Sequence, residues 1–124
     1  MKIKLNFKAD EPTANGRIYS KEILKKAFDE RLIGHFFIQE YNNSDNVFVD
    51  IDKIFAEVES YEIKPNSEIL VDIKLLDTPI AKKFKDRKFE LTTSGVGILE
   101  DDKKTISKGF KLSHLFVVGG NGSE

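Results

Sequence analysis

Apolar and polar residues alternate along much of the chain, and the alternation predicts a protein made mainly of strands. The pattern is clearest over residues 68–76, where every second side chain is apolar and the apolar set shares one face. An opening strand is predicted over residues 1–7 on the same grounds, with Ile3, Leu5 and Phe7 on one face. Further strand-like content lies at residues 35–41, 47–49, 55–63, 89–93, 105–112 and 115–118.

Two helices are predicted between these strands. Ser20 is the expected N-cap of the first, because a stripe of apolar residues at helical spacing follows it: Ile23, Leu24, Ala27 and Phe28. Thr78-Pro79 opens the second, with a capping hydroxyl and then proline at the first helical position. Before the first helix, Asn15-Gly16 suits an ordered loop with a positive φ.

These elements predict an α+β domain, mostly antiparallel, built on a curled sheet or small β-barrel of about seven strands with two or more flanking helices. A chain of 124 residues can bury one modest core. We therefore expect a single domain over residues 1–118. Residues 119–124 have nothing to bury and predict a flexible tail, and residues 42–46 predict an exposed loop.

Charge and residue composition narrow the chemistry. Lysine and arginine number 20 against 21 acidic residues, so no overall field favours nucleic acid or a membrane surface. There is no cysteine, and His35 and His114 are the only imidazoles. We expect neither a metal nor another cofactor, since two distant histidines show no short ligand spacing. Apolar runs are too short for a membrane span or the core of a signal peptide.

Three local motifs occur in a recognisable order. They are Asn15-Gly16-Arg17-Ile18-Tyr19 before a helix, Leu75-Leu76-Asp77-Thr78-Pro79 between a strand and a helix, and Thr92-Thr93-Ser94-Gly95-Val96-Gly97. The set resembles the N-G-R-x-Y, L-x-T-P and S-S-R-G-x-G motifs of the capsid maturation (prohead) proteases of tailed phages, relatives of the herpesvirus assemblins. Each motif alone also fits a purely structural interpretation as a turn, a capped helix start or a glycine-bearing strand.

The resemblance implies where catalytic residues would lie. The family's histidine falls in the segment that matches Gly34–Gln39, at Ile38 or Gln39, and neither side chain can exchange a proton. The family's serine falls on Thr92 or Thr93, and its arginine on Ser94. Threonine still requires a base to act as a nucleophile. The resemblance therefore implies a protease fold that has lost its catalytic residues.

Two functions follow as hypotheses. The first is a non-catalytic head protein, an auxiliary or decoration component of the virion that meets other head proteins in the host cytoplasm during assembly. Its expected partner is the major capsid protein or another head protein, and aromatic residues near the polar loop suggest a contact surface or core: Phe36, Phe37, Tyr41 and Phe48. Self-association is a further expectation, by analogy with the assemblins, which dimerise.

The alternative is an active maturation protease that cleaves scaffold and capsid proteins. It would use Thr93 or Ser94 as the nucleophile with His114 or His35 as the base. A third interpretation is an unrelated α+β interaction domain, in which the order of the motifs is coincidental.

Overall fold

The computed structural model describes residues 1–41 and 49–118. Along the chain the regular elements are β1 (Lys2–Lys8), α1 (Lys21–Arg31), β2 (Phe37–Gln39), β3 (Ile54–Ile63), β4 (Glu68–Leu75), α2 (Pro79–Phe84), β5 (Glu90–Val96) and β6 (Lys111–Val118). A short 3₁₀ turn, Ile51–Lys53, leads into β3.

The strands form a closed barrel in the order β1-β4-β3-β2-β6-β5. The pairs β1–β4, β4–β3, β3–β2 and β5–β6 are antiparallel. The barrel closes through two short parallel contacts, β2 with β6 and β1 with β5, the latter at Leu5 opposite Leu91. The predicted α+β barrel with flanking helices is confirmed, with six named strands in the described part of the chain where about seven were expected.

Side chains from alternate positions of the strands fill the barrel. On β4, the buried positions are Ile69, Val71 and Ile73, as the alternation predicts. Three phenylalanines extend this core toward α2: the ring of Phe84 stacks on Phe55 with centroids 4.0 Å apart, and Phe89 meets both rings edge-on. Aromatic rings in such arrangements dominate the energetics of a small core.

Both predicted helix starts are confirmed. The Ser20 hydroxyl accepts a hydrogen bond from the backbone N–H of Ile23 at 3.2 Å, and the Thr78 hydroxyl accepts one from Ala81 at 3.1 Å. Each bond satisfies one of the N–H groups that the first turn of a helix leaves without a partner in the helix. Pro79 opens α2 where its missing N–H has no consequence.

Several strand boundaries differ from the sequence-based prediction, and three of the differences exceed one residue. The strand predicted over 35–41 is limited to Phe37–Gln39. β5 continues through Gly95 to Val96, because Gly95 still pairs with Leu112, and the register shift leaves Ser113 of β6 as the extra residue of a bulge. The segment 105–110 is predicted as part of the final strand but lies outside β6. It pairs only through isolated bridges, of Thr105 with Ile18 and of Ile106 with Leu99. Its apolar residues Ile106 and Phe110 are nevertheless buried. Val49, the last residue of the strand predicted over 47–49, does not lie in a strand. The predictions for residues 42–48, including Phe48, and for 119–124 lie outside the described residues.

Candidate functional site

The loop that carries Asn15-Gly16-Arg17 is tied back on itself. The Thr13 N–H donates to the Arg17 carbonyl and the Gly16 N–H to the Thr13 carbonyl, at 2.8 and 2.9 Å. The Thr13 hydroxyl also accepts from the Arg17 N–H at 3.2 Å. Gly16 has a φ of +78°, a conformation that glycine adopts without steric penalty. The prediction of an ordered loop is confirmed.

A second segment holds this loop from outside. The Ile18 N–H donates to the Lys104 carbonyl and the Ile18 carbonyl accepts from the Ile106 N–H, both at 2.9 Å. The turn before Lys104 is organised by Asp102, whose carboxylate accepts from the Lys104 and Thr105 N–H groups and from the Thr105 hydroxyl. Hydrogen bonds from Thr105 lower the pKa of Asp102 to about 2.

This pKa predicts an acid-dependent contribution to stability. Because the folded-state pKa lies below the ordinary value of 3.8, the turn stabilises the fold above about pH 4 and loses that contribution as the pH falls toward 2. We expect Asp102→Asn to reduce the free energy of unfolding at pH 6, with the difference from wild type shrinking below pH 4. Urea unfolding at several pH values measures this. Asp101→Asn, the same charge change one residue earlier, is the control and should show no such trend.

The N-G-R loop and β5 enclose a cleft of about 190 Å³ at the seam where β1 meets β5. We call it the Arg17 cleft. Its polar lining comes from Asn6, Thr13, Asn15, Arg17, Thr92 and Thr93, and its aromatic lining from Phe7, Tyr19 and Phe116. Two motifs far apart in the sequence thus meet at one site. The sequence pattern did not single out Asn6 or Phe116, because only the closure of the barrel brings β1 and β6 to this seam.

Strand alternation separates the candidate nucleophiles. Thr93 lies opposite Leu115, a fully buried core residue, so Thr93 belongs to the inner face of the barrel wall formed by β5 and β6. Thr92 and Ser94 belong to the outer face, opposite Phe116 and His114. The pairing therefore brings Ser94 and His114 together and sets Thr93 apart from that pair.

His114 lies in the interior of β6 and is fully buried. Its Nδ1 lies 2.9 Å from the Ser113 hydroxyl, and the guanidinium Nε of Arg31 donates to the Ser113 carbonyl at 2.6 Å. These contacts fix the backbone and the ring of His114 against α1.

His35 lies elsewhere. Its side chain is 78% exposed, and its Nδ1 is 3.2 Å from the Glu57 carboxylate on β3. Since β6 separates β2 from β5 in the barrel, the structure does not bring His35 to Thr93 or Ser94.

The two positions aligned with the family's histidine are both fully buried. Ile38 faces the core opposite Leu115, and Gln39 lies opposite Phe116 in the same row as Thr92. The Gln39 side-chain oxygen accepts a hydrogen bond from the Asp50 N–H at 2.8 Å. The glutamine therefore fixes the chain that leads into the 3₁₀ turn.

The aromatic residues near this wall divide between core and surface. Phe36 is buried beside Phe28, with ring centroids 5.6 Å apart, whereas Phe37 is half-buried and Tyr41 is exposed. Of the two alternatives for these aromatic residues, contact surface or core, Phe36 belongs to the core.

Residues 1–41 and 49–118 offer neither a cluster of metal ligands nor a membrane-spanning helix. This part of the chain contains no group of three or more His, Cys, Asp or Glu placed to hold a metal ion. None of its helices is long and apolar enough to cross a membrane.

One solved structure similar to this chain is the capsid assembly protease gp21 of bacteriophage T4. The TM-score is 0.74 at 20% sequence identity, and the match covers 96% of this chain and 81% of the T4 chain. No protein-family model and no curated protein matches the sequence. The chain therefore has a prohead-protease-like fold, as the three motifs predicted.

Proposed function

We propose that this protein is a non-catalytic component of a phage head, which uses a prohead-protease-like fold to bind other head proteins. Gln39 is the observation that carries this proposal. It occupies a position where the resemblance places a catalytic histidine, it is fully buried, and its side-chain oxygen is hydrogen-bonded to the Asp50 N–H.

The chemistry of Gln39 supports a loss of proteolysis. A serine or threonine hydroxyl needs a neighbouring group that takes its proton, and a neutral amide does not titrate in the working range. The other aligned position, Ile38, is a core residue without any polar atom in its side chain. A structural role has replaced proton transfer on this strand.

The Arg17 cleft is the surface that we assign to binding. Arg17 has no carboxylate partner among the described residues, and it lines a cleft together with Thr92 and Thr93. Aromatic side chains with a few placed polar groups are the usual lining of a binding site. If the Arg17 cleft binds other head proteins, the protein would meet them in the host cytoplasm during assembly and remain with them in the finished virion.

A second candidate is the active maturation protease, which is favoured by the pairing of two residues on neighbouring strands. Ser94 and His114 are directly opposed on β5 and β6, on the same face of the wall. A hydroxyl beside an imidazole is the core of a serine-protease site. This arrangement favours Ser94 and His114 over Thr93 and His35 as the pair to test.

A cleavage assay decides between the two. We expect the purified protein, incubated with its cognate capsid and scaffold proteins, to release no specific fragments, and we expect Ser94→Ala and His114→Ala to leave that result unchanged. The measurement is mass spectrometry of the products, with the active protease of the same phage as the positive control. Fragments that appear with wild type and vanish with both variants would establish the protease instead.

Composition of the particle gives an independent measurement. A head component is expected at a constant copy number in mature particles, counted by quantitative mass spectrometry. Its presence in assembling heads and its disappearance from mature ones would contradict a structural role.

A further inference from the structure

The chain carries a compact positive surface on α2 and the turn after it. Residues 82–88 contain five cations and one carboxylate, whereas the whole chain has a net charge of −1. We call the five cations the α2 basic surface: Lys82, Lys83, Lys85, Arg87 and Lys88. We propose that it is a docking surface for an acidic segment of a partner protein, separate from the Arg17 cleft.

The helix that carries these cations packs firmly against the barrel. Ala81 and Phe84, the inward residues of α2, are buried at 3% and 1% exposure, and Phe84 stacks on Phe55 in the core. The guanidinium of Arg87 lies over the outer side of the Phe84 ring, 5.4 Å from its centroid. Because the backbone is held this firmly, a partner would have to order only the ends of the lysine side chains.

Most of this charge is not neutralised by carboxylates of residues 1–41 and 49–118. Lys83 lies 3.6 Å from the Glu40 carboxylate, which it shares with Lys53. Lys82, Lys85 and Lys88 are exposed, and no ion pair joins them to any carboxylate in the described ranges. The helix dipole favours cations in the last turn of α2, which holds Lys82 and Lys83, but it does not explain Arg87 and Lys88, which lie beyond the end of the helix.

The chemistry of the surface favours an acidic protein over nucleic acid. Outside residues 82–88 the chain has five more carboxylates than cations, so a long polyanion would be repelled beyond the surface itself. Phe84, in this segment, and Phe89, directly after it, are both buried and offer no stacking face for bases. A helix of six residues is about 9 Å long, enough for three or four carboxylates on one partner segment.

The test uses a fluorescein-labelled octaglutamate peptide as the probe and the full chain as the receptor. We expect Lys82→Gln/Lys85→Gln/Lys88→Gln to weaken binding about tenfold, since each exposed ion pair adds a small increment. Lys2→Gln/Lys26→Gln/Lys108→Gln removes the same charge from exposed lysines elsewhere and should change binding by less than about twofold. Fluorescence anisotropy gives the affinities, and raising salt from about 50 to about 300 mM should weaken wild type most.

Three outcomes would overturn the proposal: equal losses in both triple variants, no loss in either, or tighter binding of a 20-base-pair duplex than of the peptide. Circular dichroism checks that both variants are folded. The cleavage assay does not depend on the α2 basic surface. A failure of peptide binding would therefore contradict the docking proposal alone, and the non-catalytic role would still be decided by the cleavage assay.

Discussion

Replacing Phe84 with alanine is expected to lower the free energy of unfolding by about 3–5 kcal/mol, the range for removing a buried aromatic ring. Phe84 is 1% exposed, and its ring lies 4.0 Å from that of Phe55 and 5.3 Å from that of Phe89, centroid to centroid. The truncation would leave a cavity where these three rings meet. A protein of this size is stable by only about 5–15 kcal/mol, so the loss is a large share of the total.

Urea unfolding followed by circular dichroism measures the effect. Lys82→Ala, on the exposed side of the same helix, is the matched control and should change stability by about 0.5 kcal/mol or less. A loss below about 1 kcal/mol for Phe84→Ala would show that α2 is not docked on the barrel in the way described.

The same variant links the core to the α2 basic surface. If Phe84 holds α2 in place, its loss should weaken octaglutamate binding even though every lysine remains. Phe84→Leu refills most of the cavity with another apolar side chain and should restore part of both the stability and the binding. Weak binding with full stability would mean that Phe84 acts on the partner directly.

Local features of this fold are readable from the sequence because neighbouring residues determine them. The caps at Ser20 and Thr78 each depend on one hydroxyl and an N–H group three residues later. The buried face of β4 follows from strict alternation in a strand whose two edges are both paired, with β1 and β3.

Closure of the barrel is not local and could not be predicted in the same way. The parallel contacts of β1 with β5 and of β2 with β6 join strands that are far apart in the chain. The Arg17 cleft depends on the first of these contacts. Its lining from Asn6 and Phe116 therefore had no signature in the sequence, whereas Arg17 and Thr92 were named by their motifs.

The candidate catalytic residues also combine a local feature, their identity, with a non-local one, their spatial arrangement. The sequence names Thr93, Ser94, His114 and His35 without ranking their proximity. Pairing of β5 with β6 places Ser94 opposite His114 and turns Thr93 toward the core. Strand register, which a single sequence leaves open, decides which of these side chains can meet.

Gly95→Ala is expected to destabilise the protein by about 2–3 kcal/mol, near the upper end of the range for overpacking a tight site. A Cβ atom at this position would clash with the Lys111 carbonyl oxygen and lie 2.9 Å from the ring of Phe110. The carbonyl belongs to the backbone of β6 and cannot rotate away. The bulge would have to open, which would shift Ser94 relative to His114.

Gly109→Ala is the control, because a Cβ there meets nothing within 4 Å and that residue has no positive φ. Its stability should stay within about 0.5 kcal/mol of wild type, while Gly97→Ala, with its nearest contact at 3.1 Å to Phe110, should fall between the two. Thermal unfolding of the three variants ranks them directly. The expected order means that the glycines of the T-T-S-G-V-G motif are required for packing against Phe110 and β6, so the motif marks the prohead-protease-like fold whether or not catalysis has been kept. Equal stability of Gly95→Ala and Gly109→Ala would contradict this packing and leave the motif without a structural reason.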